Sequence, residues 1–513
     1  MSTKRIAGNV FATWVQNFLS IIIGFFTIRW VLSALGETQY GVFCVVGSVI
    51  SFVGIFNGLM TTSCTRFFAY AIGKAKTNSY TNEKNELREW FNCAFFIHLI
   101  MAFILCLTLY PIGIYIINNT LNIPNNFLSS SIIIFRISII AMFFSILNIP
   151  FHAIYTAKQL IFVRNISYVI QSLLLGLAAW FILKYSGDKL IMHSILTASI
   201  MSIISITMSL LAIYSFTDCR IVLKELVNTK KIKEMFSYTL YSMFGIVAAT
   251  LFNPLINIIM NSFVGISINA LLNLSIHLST KINTIAEAFS SAISPEITTR
   301  LGSNNVEHSK SLAISSCFIS SAVLGGVLTS LWIWCTDVID LWLDKPPQGL
   351  PLIIFIFTLK SLILYSTNGY MILIHASGKI KKYQKILCLI ILFSLILLIV
   401  LLKLEINHFL SLGIILIFSH VLTSALRIII VKKMFKIKLS IFLYQLLIPI
   451  TSLILLLLSI CALLNSIDIF KSITGFLISL ITNFSIVIVS IILWYKKFRS
   501  ENIIYKLKCI LKK

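Results

Sequence analysis

Apolar runs recur from one end of this chain to the other, and short polar clusters punctuate them. Each run comes near the ~20 residues that an α-helix needs to cross the hydrocarbon of a bilayer. The pattern predicts about fourteen spans, at 8–34, 41–70, 90–117, 129–153, 165–185, 191–216, 236–262, 268–294, 311–336, 351–375, 385–402, 409–431, 441–465 and 472–495. The clearest breaks are GKAKTNSYTNEKNELRE (73–89), the basic stretch after Asp218, and SGKIKKYQK (377–385). The predicted class is an all-α, polytopic membrane protein. Composition agrees, because 58% of the chain is hydrophobic and 11% charged, where a soluble chain carries about a quarter charged residues. The start, MSTKRIAGNVFATW, has the basic flank of a secretory leader. Its apolar stretch is too long and lacks a small-residue cleavage site, so a retained first helix is expected.

The positive charge then orients the spans. With the N-terminus inside, the inner segments hold 30 of the 41 Lys and Arg residues. The outer turns hold Arg29, Lys184, Lys189, Lys345, Lys403 and Lys471, and Arg66, Arg136, Lys281, Lys360 and Arg427 lie within spans. That bias predicts cytoplasmic termini, with 73–89 and 496–513 inside and 337–349 outside. The net charge of +24 is thereby a matter of topology and anionic lipid, and a nucleic-acid partner is not expected.

Polar residues inside spans fall on faces. In the eighth span Asn269, Asn273, His277, Lys281, Thr284, Glu287 and Ser291 recur at three- and four-residue spacing, one stripe about a third of the circumference wide. The seventh carries Asn253, Asn257 and Asn261, with Pro254 placed to bend it. The first carries Asn9, Thr13, Gln16, Asn17, Ser20, Gly24 and Thr27, and the tenth Lys360, Thr367, Asn368 and His375. A single Ser or Thr in a membrane helix reads as interhelical glue. Whole stripes that end in charged groups predict a hydrated lumen.

Depth sorts the charges. Lys281 lies near the midplane, where a lysine costs ~2.5–3.5 kcal/mol on insertion scales and needs water or a partner. Glu287 is ~120° round the same helix, a poor intrahelical partner, and is the candidate for proton coupling. Lys360 is the second deep cation. Arg66 borders a Gly54–Asn57–Thr61–Thr65 face at the inner end of span two, where lumen and snorkelling readings both stay open. Arg29 and Arg136 point opposite their helices' polar faces, the latter opposite Ser138, Ser145, Asn148 and His152, and are expected to snorkel outward. Arg427 shares a face with His420 and stays unassigned. The predicted lumen set is Lys281, Lys360, Arg66, His277, Asn273, Asn253, Asn257 and Asn17. Its cations suit an anionic translocated group and its asparagines a hydroxyl-rich one.

Other chemistry is sparse. The ten cysteines form no C-x-x-C pair or Cys/His cluster, so neither disulfides nor a metal site is expected. The GK at 378–379 lacks the glycine five residues ahead that a phosphate-binding loop requires, so no nucleotide and no cofactor is expected. Transport would then run on a gradient, the membrane potential or consumption of the product. Asp337, Asp340 and Asp344 at i, i+3, i+7 would be an enzyme's best acid/base or metal site. An interfacial acidic rim explains them better, and no catalytic residue is assigned.

Several stretches carry a family likeness. They are the basic N-terminus before a span with Asn9 and Asn17, LGETQYG (35–41) at the first outer turn, and GLMTTSCTRFFAYAIGKA (58–75) closing span two with Arg66. SSAISPEITTRLG (290–302) closes span eight in the same manner, with Arg300 near Arg66's place. With these the chain resembles the polysaccharide (O-antigen-type) flippases of the multidrug/oligosaccharidyl-lipid/polysaccharide exporter superfamily. The resemblance implies two six-helix lobes, 1–216 and 236–431, joined by a cytoplasmic linker (217–235) and followed by two extra helices (441–495) and a basic tail (496–513). It implies alternating access around a central cavity. The implied cargo is an undecaprenyl-diphosphate-linked oligosaccharide, flipped to the periplasmic leaflet of a bacterial inner membrane. It also implies membrane lipid, a polysaccharide polymerase and chain-length machinery as partners, and a lipid-tail groove on the last two helices. The rivals are a drug/cation antiporter, expected to carry an acidic lumen, and a membrane polymerase or glycosyltransferase, expected to carry a long periplasmic loop.

Overall fold

The computed structural model describes residues 3–50, 60–61, 63–72, 84–158, 160–222, 226–302, 305–467, 469 and 471–498. Gly54, Asn57, residues 73–83 and residues 499–513 lie outside them, as do the side chains of Asn9 and Thr13. The described elements are helices, in keeping with the predicted all-α class. Ten are long and apolar enough to cross a membrane, and a bent pair makes an eleventh. The eighth predicted span is a helix of 36 residues whose polar stripe leaves it outside that apolar set.

The chain divides into two compact units, residues 1–270 with 342–345, and residues 271–341 with 346–513. In the first unit, α1 (Thr3–Ile50) is broken at Gly36, whose φ of 69° and ψ of 173° are not helical. Only glycine takes that conformation without strain, so the turn predicted at 35–41 narrows to one residue. There follow helical residues 60–61 and 63–72, α2 (Lys84–Asn119), α3 (Asn125–Leu147), α4 (Ile149–Ala157), α5 (Ile161–Lys184), α6 (Lys189–Ser215) and α7 (Thr229–Val264). Proline at the start of α4 removes a backbone donor, and the span 125–157 breaks at Asn148. Near the predicted inner face, Lys158 pairs with Asp218 and Lys231 with Glu89, both at 2.7 Å.

Arg29 does not snorkel alone. Segment 342–345 belongs to this unit, and Asp344 accepts from Arg29 Nη2 and from the Ser33 hydroxyl, each at 2.6 Å. Trp342 stacks on Phe25 (centroids 5.2 Å) and donates its indole N–H to the Phe25 carbonyl. The Ser33 hydroxyl and Arg29 hold the Asp344 carboxyl below its ordinary value. A lowered folded value means that the contribution is fully present above the unfolded value of ~3.9 and is lost as pH falls from there through the lower folded value. With both partners partly exposed, the contribution is below ~1 kcal/mol. Thermal unfolding of the purified protein should therefore show a small loss as pH falls below about 5. Asp344→Asn should remove that part of the pH dependence; an unchanged profile in this variant would show that the pair contributes nothing.

The second unit is built on α8 (Ser267–Gly302, from Leu271 onward) and α9 (Val306–Ile333), the most enclosed helix among the predicted spans. Around them lie α10 (Cys335–Trp342, as far as Leu341), α11 (Leu350–Tyr365), α12 (Asn368–Ala376), α13 (Lys381–Lys403), α14 (His408–Phe435), α15 (Leu439–Asn465) and α16 (Ile473–Phe498). Small residues let α9 take neighbours on several sides, since without side-chain bulk membrane helices pack by backbone approach. A side chain at Gly369 of α12 would run into the Ala313 carbonyl of α9. The trailing pair is docked on α9 by specific bonds. Asn483 Nδ2 donates to the Gly326 carbonyl (3.1 Å) and the hydroxyls of Thr329 (3.0 Å) and Ser330 (2.9 Å), and Trp494 stacks on Phe318 at 4.7 Å. Leu455, Leu463, Ile481 and Leu493 on the outward sides are exposed.

The bent pair is α11 and α12, angled by 47° at Ser366–Thr367. A break frees backbone carbonyls that hydrocarbon cannot satisfy. Arg427, 4% exposed, supplies the donors: Nη1 to the Leu364 carbonyl (3.0 Å) and the Thr367 hydroxyl (3.3 Å), and Nε to the Tyr383 hydroxyl (3.1 Å). The arginine left unassigned from sequence is the pin of a broken span.

Candidate functional site

Polar residues of α8 fall on two sides, and Asn283 and Ser290 lie off the predicted stripe. Asn283 Nδ2 donates to the Ser361 hydroxyl (3.1 Å), and the Ser290 hydroxyl meets that of Ser320 (3.1 Å) and accepts from Asn368 Nδ2 (2.8 Å). Glu287 falls at the edge of this side, where its Oε1 accepts from the Tyr365 hydroxyl at 2.9 Å. The carboxylate is thus held by α11. Lys281 lies ~160° round the helix from Asn283. It is half-buried, and its ammonium makes no hydrogen bond or ion pair among the described residues. Its backbone carbonyl accepts from Thr284. One turn earlier His277 is exposed, and Asn273, a further turn back, is half-buried. The second unit therefore presents Asn273, His277 and Lys281 as a ladder along one side of α8, with a cation at its end.

The other predicted lumen residues have different surroundings. Lys360 is 7% exposed, with its ammonium 3.8 Å from the Phe357 ring centroid, a cation–π contact inside the second unit. Thr367 and Asn368, on the same predicted face, bond to Ser424 and Ser290 within that unit. In the first unit Asn257 is 3% exposed and belongs to a cluster: Asn269 Nδ2 donates to its carbonyl (2.9 Å), Asn261 Nδ2 to Asn269 Oδ1 (2.8 Å), and the Asn122 N–H to Asn261 Oδ1 (2.8 Å). That asparagine row is interhelical glue, which places α7 against the start of α8. Asn253 is half-buried. Asn17 is exposed, while Gln16 and Ser20 on the same helix form a chain of 3.2 Å bonds to Ser172 of α5. Arg66 is exposed beside Phe67, its guanidinium 5.9 Å from the ring centroid.

The Arg427–Tyr383 pairing is not legible from spacing, because Tyr383 sits in the break SGKIKKYQK, where loop composition hides a helix's first turn. Of Asp337, Asp340 and Asp344, the last is already committed to Arg29 and Ser33. Among the described residues, no three His, Cys, Asp or Glu side chains are grouped to hold a metal. What the ladder can do chemically is bind: a mobile ammonium takes phosphate oxygens as a point charge, and amides and imidazole add directional bonds.

No protein-family model matches the sequence, and no curated protein matches it. Solved structures do share the fold. The lipid II flippase MurJ, in an inward closed conformation, superposes with a TM-score of 0.69 at 14% identity, over 94% of this chain and 98% of its own. An inward-facing multidrug resistance MATE family transporter of the MOP superfamily gives 0.68 at 12% identity, over 81% and 94%. The MATE multidrug transporter DinF-BH, in a ligand complex, gives 0.62 at 13% identity, over 85% and 98%. The chain has the fold of these transporters, which is that of a multi-pass membrane protein.

Proposed function

We propose that this protein is a flippase for an undecaprenyl-diphosphate-linked oligosaccharide, an O-antigen or capsule repeat unit. It would carry the unit from the cytoplasmic to the periplasmic leaflet by alternating access, with both termini cytoplasmic and with Lys281 taking the diphosphate. The observation that carries the reading is the half-buried ammonium of Lys281, unpaired among the described residues while the carboxylate two turns on is given to Tyr365. A cation near the midplane is costly, and it is retained where it has a negatively charged visitor or water. The fold supports the reading, and the lipid flippase spans more of this chain than either drug transporter does. The two-lobe division and the roles of His277, Asn273 and Arg66 as further cargo contacts belong to the same proposal, with Glu287 available for proton coupling.

The test is direct. The purified chain is reconstituted into proteoliposomes holding a fluorescent lipid-linked oligosaccharide on one leaflet, and appearance on the other is read with an impermeant glycosidase. Protein-dependent translocation of the diphosphate-linked sugar is expected. Failure to move it, together with proton-driven uptake of a cationic dye, would replace the flippase reading by the antiporter.

A further inference from the structure

A cavity of about 550 Å³ lies inside the first unit, walled by the second half of α1 and by α3–α4, α5 and α6. That volume is within the ~300–1,000 Å³ of small-molecule sites. The face predicted opposite Arg136 (Ser138, Ser145, Asn148 and His152) runs down one wall. Arg164, Tyr168 and Gln171 occupy a second at i, i+4, i+7, and Ser194, Thr197 and Ser205 a third. Neither aspartate nor glutamate is among the described lining residues, so the charge of the cavity is that of Arg164.

Two polar groups of the lining have donors to spare. Arg164 Nη1 donates to the Thr156 hydroxyl at 3.0 Å, while its Nε, although buried, has no partner among the described residues. The buried Thr197 hydroxyl has none either. Asn148 Oδ1 is taken by the Ser209 hydroxyl at 2.9 Å, which leaves its amide N–H groups directed elsewhere. Unpaired buried donors are expensive to hold, and a ligand with acceptors relieves them. Tyr168 supplies an apolar platform: His152 stacks on it (centroids 5.6 Å, 24° between planes), and the Arg164 guanidinium lies 6.0 Å from its centroid.

We propose that this cavity binds an acidic sugar, a hexuronate residue of the cargo oligosaccharide. The carboxylate would lie on Arg164, the ring hydroxyls against Asn148, Gln171 and Thr197, and the apolar face of the ring against Tyr168. A cationic drug would find no carboxylate to pair with. A diphosphate would bring more negative charge than one guanidinium, already shared with Thr156, can match. The proposal rests on the flippase reading for how the sugar arrives, but the binding is measured without transport.

The experiment titrates the purified full-length chain in nanodiscs with methyl glucuronide and methyl glucoside, two rings that differ in the carboxylate, followed by ligand-observed NMR. The glucuronide should bind at least about tenfold more tightly, the value of one charge-assisted hydrogen bond. Arg164→Gln should erase that preference. Should that variant fail to fold, Asn148→Asp is the second probe: it keeps size and the bond to Ser209, adds a negative charge, and should weaken the glucuronide far more than the glucoside. Equal binding of the two glycosides, no binding of either, or a preference that survives Asn148→Asp would overturn the proposal. A chain that flips lipid-linked sugar but ignores glucuronide sinks this proposal alone. One that binds glucuronide through Arg164 but flips nothing sinks the flippase reading and leaves the cavity assigned.

Discussion

Lys281→Ala is expected to cut translocation of the lipid-linked oligosaccharide by ~10–100-fold, the value of one charge-assisted contact, while the protein stays folded and inserted. The ammonium has no partner among the described residues, so its removal leaves no buried group unpaired. It also relieves the insertion cost of a midplane charge. Lys281→Arg should keep part of the activity, because guanidinium also binds phosphate, though through a planar fork that reaches differently. Lys281→Glu should be worse than alanine by direct repulsion. A buried pair with Glu287 would have predicted the opposite: loss of protein in the alanine variant and rescue by exchanging the two charges. The Tyr365 bond to Glu287 removes the basis for that rescue. Surface polysaccharide and protein level, measured together in cells, separate the outcomes. Full export by a stable Lys281→Ala protein would end the cationic-site proposal.

Arg427→Leu is expected to act on stability. Its side chain serves the Leu364 carbonyl, the Thr367 hydroxyl and the Tyr383 hydroxyl around the break between α11 and α12. Leaving a buried hydroxyl unpaired costs ~1–3 kcal/mol, and the weakened bonds at the break add to it, partly offset by no longer burying a charge, for a net loss of about 1–3 kcal/mol. Thr367 retains its bond to Ser424, and the Leu364 carbonyl still accepts from the Thr367 N–H and hydroxyl, so the Tyr383 hydroxyl bears most of that loss. The readout is the thermal unfolding midpoint of the purified protein, with membrane yield beside it. Arg427→Lys should recover only a fraction, since one ammonium cannot span three acceptors held by different helices. A leucine variant that melts with the parent protein would show that the break satisfies itself.

How much of this was legible in the sequence follows from the range of the forces involved. Crossing hydrocarbon demands ~20 apolar residues in a row and a backbone that satisfies its own hydrogen bonds, and both conditions are local. The all-α class, the helices and the oddity of Lys281 in a polar stripe could therefore be read from spacing alone. Gly36 too sits in a predicted turn, although only the backbone shows that this one residue makes the break. Partner choice is not local. Asp344 lies more than 300 positions from Arg29 and Ser33. Asn483 reaches α9 across about 150 residues, and Arg427 answers a break 60 positions earlier. Spacing put Asn257 and Lys281 in the same predicted lumen set, because periodicity gives the face of a helix and not what the face meets. Tertiary packing separated them: Asn257 went into an amide cluster, Glu287 to Tyr365, and Lys281 was left without a partner among the described residues. Apolar length acts on each segment by itself, whereas a buried polar group is settled only when another helix brings its complement.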